Sequence, residues 1–223
     1  MPSKGRGATA AYVAPFAAFI AVMAAEHLLL PHSQILYPLR LAIVLAVILL
    51  VSRPYLQFRP TNPFASIAIG VAVFLIWIAP DRLFGYRHFW LFNNAIVGST
   101  SASIPTGTQA SPWFLALRAL GSTALVPIVE ELFWRGWLMR WLINPDFEKV
   151  PLGTYTPAAF WIVAILFASE HGPYWEVGLI AGIIYNWWLI RTRSLADCML
   201  AHAVTNGILA AYVITSGQWQ YWL

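Results

Sequence analysis

Val126-Pro127-Ile128-Val129-Glu130-Glu131-Leu132-Phe133-Trp134-Arg135 lies in the middle of an apolar run, residues 112–143, and sets three ionisable groups inside it. A run of that length and composition reads as a membrane span. Each charge at bilayer depth costs on the order of 2.5–3.5 kcal/mol on insertion scales, against about 0.3–0.6 gained per Leu or Ile, so the three must find partners. Glu131 and Arg135 are four apart with the acid N-terminal, the favourable arrangement for an ion pair on one helix face. Glu130 points about 100° away and has no basic partner on its own helix. One carboxylate is thereby assigned to structure and its neighbour is left free to act as a general base. Pro127, one turn earlier, removes a backbone donor, which frees a carbonyl and makes room for water. The run is long for one simple crossing, so it tilts, bends at Pro127 or splits in two.

The rest of the chain has the same character. Of its 223 residues 60% are apolar and 10% charged, against about 45–50% and 25% in an ordinary soluble domain. Apolar segments at 8–30, 36–52, 64–80, 112–143, 157–171, 174–191 and 195–215 predict an all-α fold, a polytopic membrane helix bundle of seven or eight transmembrane helices. The expected organisation is a single integral membrane domain over 1–223. It has three N-terminal helices without motifs (1–80), an outer loop (81–111) and motif-bearing helices (112–215). Lys4 and Arg6 ahead of Ala8–Ala25 look like the start of a signal peptide, but the run continues through Leu28–Leu30 and is long enough to span, so a retained helix is expected. Gly178 and Gly182 form a GxxxG that predicts a close helix contact.

With a cytoplasmic N-terminus and seven crossings, Lys4, Arg6, Arg53, Arg59, Arg140, Lys149, Arg191 and Arg193 fall inside and only Arg40, Arg82 and Arg87 outside, as the positive-inside rule requires. Trp77, Trp113, Trp141, Trp175, Trp219 and Trp222 near the predicted ends suit an aromatic belt. The net charge of +4 is thus explained by orientation, and no basic patch interleaved with aromatics points to nucleic acid. Cys198 is the only cysteine, which excludes an internal disulfide or a Cys-rich metal site and leaves it a packing residue. The 81–111 connection reads as irregular, with a short amphipathic helix at His88–Val97 in the interface and a polar run from Gly98 to Ser111. Glu26, His27, His32 and His88 read as surface residues.

The first three spans carry almost no polar groups in their middles, while the last four carry Glu130, Glu131, Arg135, His171, Asn186, His202 and Asn206. His202 and Asn206 are four apart and share a helix face, with Cys198 one turn back. His171 precedes the breaker Gly172-Pro173, which places it near the membrane surface. If facing helices bring Glu130, His171, His202 and Asn206 together, the group could activate a water, or hold a zinc ion, with Asn206 as a donor to a developing oxyanion. Asn186 and Asn206 also suit simple interhelical hydrogen bonding. Transport fits less well, since many transporters repeat their broken helices in both halves and no repeat is visible here.

Glu130-Glu131-x-x-x-Arg135, Phe167-x-x-x-His171 and His202-x-x-x-Asn206, in that order, resemble the CAAX prenyl endopeptidase and bacteriocin-processing family, over about residues 112–215. Glu170-His171-Gly172 and the run from Tyr185-Asn186 to Arg191-Thr192-Arg193-Ser194 look like the bacterial branch associated with exosortase and PEP-CTERM sorting systems. The resemblance implies a glutamate-type intramembrane endopeptidase of the bacterial inner membrane, working without a cofactor on a membrane-associated protein or peptide. Glu130 and His171 would activate the water, His202 and Asn206 would stabilise the oxyanion, and Glu131 and Arg135 would hold the site together. Two other readings stand beside it: a zinc-dependent hydrolase using the same residues, although no HExxH helix is present, and a non-enzymatic membrane chaperone, immunity factor or scaffold that retains the fold.

Overall fold

A computed structural model of the chain describes residues 4–29, 36–100, 109 and 111–222. His32, the side chains of Lys4, Arg6 and His27, and most of the polar run 98–111 lie outside the described residues. Seven long helices follow one another with no strand among the described residues: α1 (Lys4–Leu29), α2 (Leu36–Val47), α3 (Pro63–Phe84), α4 (Pro112–Trp141), α5 (Pro157–Ser169), α6 (Trp175–Thr192) and α7 (Leu195–Ser216). Five stretches are long and apolar enough to cross a bilayer: Gly7–Glu26, Leu36–Tyr55, Pro63–Phe84, Pro112–Trp141 and Leu195–Ser216. The chain is an all-α polytopic bundle and an integral membrane protein. Three of the helices announce their starts in sequence, because Ser111, Thr156 and Ser194 accept a hydrogen bond from the backbone three residues on, with proline following in the first two cases.

Helix α4 does not split, which settles the number of long helices at seven among the described residues. Its accommodation of Pro127 is a widening. In α geometry the proline ring would collide with the carbonyl four residues back. Instead the backbone runs as a π-helix over Gly121–Leu125, and the Val126 N–H bonds Gly121 O, five residues back. The next donor in that pattern would be Pro127, which has none, so the carbonyl of Ser122 is left for another group. A second π-helical stretch, Leu132–Leu138, follows directly after the paired acids.

Helices α3 and α7 run parallel and touch from end to end. At one end Asp197 of α7 accepts from the backbone N–H groups of Thr61 and Asn62 (2.9 and 2.7 Å) and from the hydroxyls of Thr61 and Ser66 (2.7 and 2.9 Å), so it caps the start of α3. Midway the Thr205 hydroxyl donates to Gly70 O at 2.9 Å, then Phe74 meets Tyr212, and beyond the far end Tyr221 bonds Asp81. Parallel packing of the third and seventh helices is what alternating crossings require. Nothing in the sequence singles out Asp197, although it is fully buried. The approach is closest at Gly70, where a Cβ would lie 2.4 Å from Ala201 O. Gly70→Ala must therefore push α3 from α7, and we expect it to cost about 1–3 kcal/mol, read as a lower Tm in detergent; an unchanged Tm would mean the two helices separate freely.

Helices α5 and α6 are antiparallel, joined by the Asn186 amide donating to Phe160 O at 2.9 Å. The two glycines of the GxxxG have different tasks here. A Cβ on Gly182 would press on the Ala164 backbone and the Phe167 ring, and one on Gly178 would lie 3.1 Å from the His171 imidazole.

The loop 85–100 corrects one expectation. His88–Val97 is not an amphipathic helix; it consists of a 3₁₀ turn at Tyr86–His88 and successive turns closed by an Asn94–Gly98 bridge. The Asn94 side chain accepts from Ile96 N and Val97 N (2.8 and 3.1 Å), an alternative to helix for the backbone, and Gly98 takes φ +87°. Glu26 is not a surface residue either. It pairs with buried Arg40 at 3.2 Å, because the end of α1 and the start of α2 bring the two charges together where water is scarce. His88 is exposed, as expected.

Candidate active site

Arg135 is the hub on which the polar residues converge. Its Nη1 donates to Glu131 Oε1 at 3.2 Å, its Nε to Asn186 Oδ1 at 3.0 Å and its Nη2 to Gly182 O at 3.5 Å, while the guanidinium lies 4.3 Å over the Phe167 ring. Arg135, Glu131 and Asn186 have no exposed surface. The planar fork therefore ties α4 to α6 and packs on α5, a combination that a lysine could not reproduce. Asn186 is the relay of that tie, holding Arg135 with its oxygen and Phe160 O with its amide.

His202 is brought in by the same carboxylate. Its Nδ1 is 2.9 Å from Glu131 Oε1. A carboxylate already paired with Arg135 accepts, so Nδ1 carries the proton and Nε2 is turned toward Glu130 Oε2, 4.0 Å away. That separation is too long for a direct hydrogen bond. The imidazole is also stacked on Tyr185, with ring centres 5.2 Å apart and planes 22° off parallel, and the Tyr185 hydroxyl is anchored on Thr205 at 2.8 Å. Glu131 is thus more than half of an ion pair, because it also orients the histidine on α7.

Glu130 is the contrasting acid. It has no hydrogen bond at Oε2, no ion pair with a cation of its own helix, and only the edge of His202 within ion-pair distance. Asn206, one turn beyond His202, donates from its amide to Ser122 O at 2.9 Å. That is the carbonyl which the π-turn and Pro127 leave without a partner. The amide's second N–H remains for other use.

His171 is held from three sides. Its Nδ1 lies 2.7 Å from Phe167 O, and since a carbonyl can only accept, Nδ1 is the protonated nitrogen and Nε2 keeps its lone pair. The ring meets the edge of Trp77 (5.3 Å between centres) and rests in the space that Gly178 leaves. One expectation changes here. Trp77 is buried against His171 and does not belong to an interfacial belt. The two imidazoles flank one ring, Phe167, at 4.7 Å (His171) and 6.2 Å (His202), but His171 makes no ion pair or hydrogen bond with Glu130. The exposed Glu170 accepts from Trp134 Nε1 at 3.0 Å, which places a second carboxylate beside α4.

Among the described residues no group of three or more His, Cys, Asp or Glu side chains is set to hold a metal ion. Buried Cys198 donates weakly to Tyr185 O. The arrangement can place a water between an unpaired carboxylate and imidazoles of defined tautomer, with amide donors nearby.

No curated protein and no solved structure matches the chain. Residues 112–208 match the family described as "Type II CAAX prenyl endopeptidase Rce1-like", a stretch that begins with α4, ends within α7 and contains Glu130, Glu131, Arg135, His171, His202 and Asn206. The match is a likeness of the second half of the chain to that family.

Proposed function

We propose that the protein is an intramembrane endopeptidase that hydrolyses a peptide bond of a membrane-associated protein with a water activated by Glu130. The observation that carries this reading is the division of the two adjacent acids: Glu131 Oε1 is engaged by both Arg135 and His202, while Glu130 has no hydrogen bond at Oε2 and only His202 Nε2, 4.0 Å away, within ion-pair distance. The water gives a proton to Glu130 as its oxygen bonds the carbonyl carbon, and the lone pair of His171 Nε2 helps to hold it. The oxygen of the tetrahedral intermediate takes its negative charge beside His202 Nε2, which donates in the protonated imidazole, and beside the second N–H of Asn206. Collapse breaks the C–N bond, and the proton on Glu130 passes to the departing amine. Glu131 and Arg135 hold the geometry. The resemblance of residues 170–172 and 185–194 suggests C-terminally sorted proteins of a bacterial inner membrane, of the exosortase and PEP-CTERM type, as the substrate class.

The test compares the termini of membrane proteins by mass spectrometry in cells expressing the wild-type chain and in cells expressing His171→Ala. New termini that depend on His171 and persist when the purified protein is treated with a chelator support the reading. Loss of cleavage with the chelator would favour zinc. Termini unchanged between the two strains, with both proteins inserted in the membrane, would leave the non-enzymatic reading.

A further inference from the structure

We infer that Arg87 is a positioning residue for His171, acting through the turn that follows α5 and through a stack of aromatic rings; the inference rests on the role proposed for His171. Arg87 belongs to the connection after α3 and would be expected in water, yet it is 5% exposed. Its Nη1 donates to Pro173 O at 2.8 Å, its Nη2 pairs with Glu176 Oε1 at 2.7 Å, and its Nε lies 3.5 Å from Asp81 Oδ2. The guanidinium is 4.0 Å over the Tyr174 ring, a cation–π contact that a planar guanidinium makes well. Pro173, Tyr174 and Glu176 follow His171 within five residues. One arginine from a distant loop thus holds the turn on which the imidazole depends.

Two routes lead from that clamp to the ring. The first is the backbone: Gly172 takes φ +52°, and a Cβ there would lie 2.9 Å from Val97 O, so the loop that carries Arg87 also covers the turn. The second is the stack: Tyr174 lies parallel to Trp77 (6.0 Å, 13°), and Trp77 presents its edge to His171 (5.3 Å). The clamp itself is braced. Tyr86 donates to Glu176 Oε1 at 2.8 Å, with its phenol pushed up to about 12 by burial and by that carboxylate, so it remains a donor at all ordinary pH. Tyr221 bonds Asp81, and the Tyr174 hydroxyl donates to Gln220 O at 2.7 Å. A loop closed only for stability would need no ring stacked on the partner of a histidine.

Arg87→Lys tests this in the full chain in nanodiscs. Lysine keeps the charge between Asp81 and Glu176 but cannot bond Pro173 O, pair with Glu176 and stack on Tyr174 together. Carbethoxylation of His171 Nε2 by diethyl pyrocarbonate, followed by mass spectrometry, is expected to change at least about threefold, with His202 unchanged as the internal reference; kcat for cleavage is expected to fall about tenfold with KM within about twofold, the pattern of a displaced catalytic group. Tyr174→Leu, which keeps the ionic contacts of Arg87 and removes the ring between it and Trp77 together with the hydroxyl bond to Gln220 O, is expected to give the same signature and serves if Arg87→Lys does not fold. A His171 modification rate equal to wild type in a folded variant overturns the inference. Modification needs no turnover, so a wild-type protein that cleaves nothing would count against the peptidase reading while this result still decided the role of Arg87.

Discussion

Glu130→Gln is expected to lower cleavage by about 10²–10⁴-fold, the range that a positioned general base contributes, while leaving the protein folded and membrane-inserted. The amide has the shape of the carboxyl, and Glu130 Oε2 has no hydrogen bond to lose, so the change removes basicity and little else. Glu131→Gln makes the sharper control. That carboxylate takes both Arg135 Nη1 and His202 Nδ1 on one oxygen, and its replacement disturbs the salt bridge and the histidine together. The first substitution is therefore expected to lose activity at constant Tm and the second to lose both. If purified Glu130→Gln retained wild-type turnover, the base would have to be sought elsewhere, with exposed Glu170 beside Trp134 the next carboxylate to examine.

The pattern of acids and bases along α4 carried most of what could be read without coordinates. An i, i+4 spacing sets the Glu131–Arg135 pair by helix geometry alone, and the same rule puts His202 and Asn206 on one face of α7. Helix number followed from apolar run length, with one ambiguity at residues 112–143 that depended on how Pro127 is tolerated. A π-turn is a backbone solution with no sequence period of its own, so the partnership of Asn206 with Ser122 O could not be foreseen. Contacts across distant segments were equally hidden. Asp197 caps a helix that begins more than 130 positions earlier, Arg87 meets Pro173 across 86, and neither pairing leaves a local mark. Arg87, in a connection, and Arg40, in α2, are buried because their carboxylate partners arrive from other helices. The signal that could have found Arg87 is the cluster Asp81, Arg87 and Glu176 in a chain otherwise so poor in charge.

Arg135→Met is expected to be the most destabilising single change in the site, by about 3–5 kcal/mol, because it leaves the Glu131 carboxylate buried without its permanent cation. Glu131 has no exposed surface and its Oε2 already lacks a hydrogen bond, so bulk solvent does not reach the charge to take over. The same substitution strands Asn186 Oδ1 and withdraws the guanidinium from Phe167, loosening α4 from α5 and α6 at once. Arg135→Lys keeps the charge but can reach only one of the three acceptors well, and an intermediate loss of about 1–3 kcal/mol is expected. Glu131→Gln combined with Arg135→Met is expected to recover part of the loss, since the stranded charge is gone, and the resulting non-additivity would measure how far the two act as one unit. Unfolding in mixed detergent, followed by tryptophan fluorescence, supplies the free energies. A fully active, fully stable Arg135→Met protein would show that the network of α4, α6 and α7 is not what positions Glu130 and His202, and the separation of the two acids into a structural and a reactive member would fall with it.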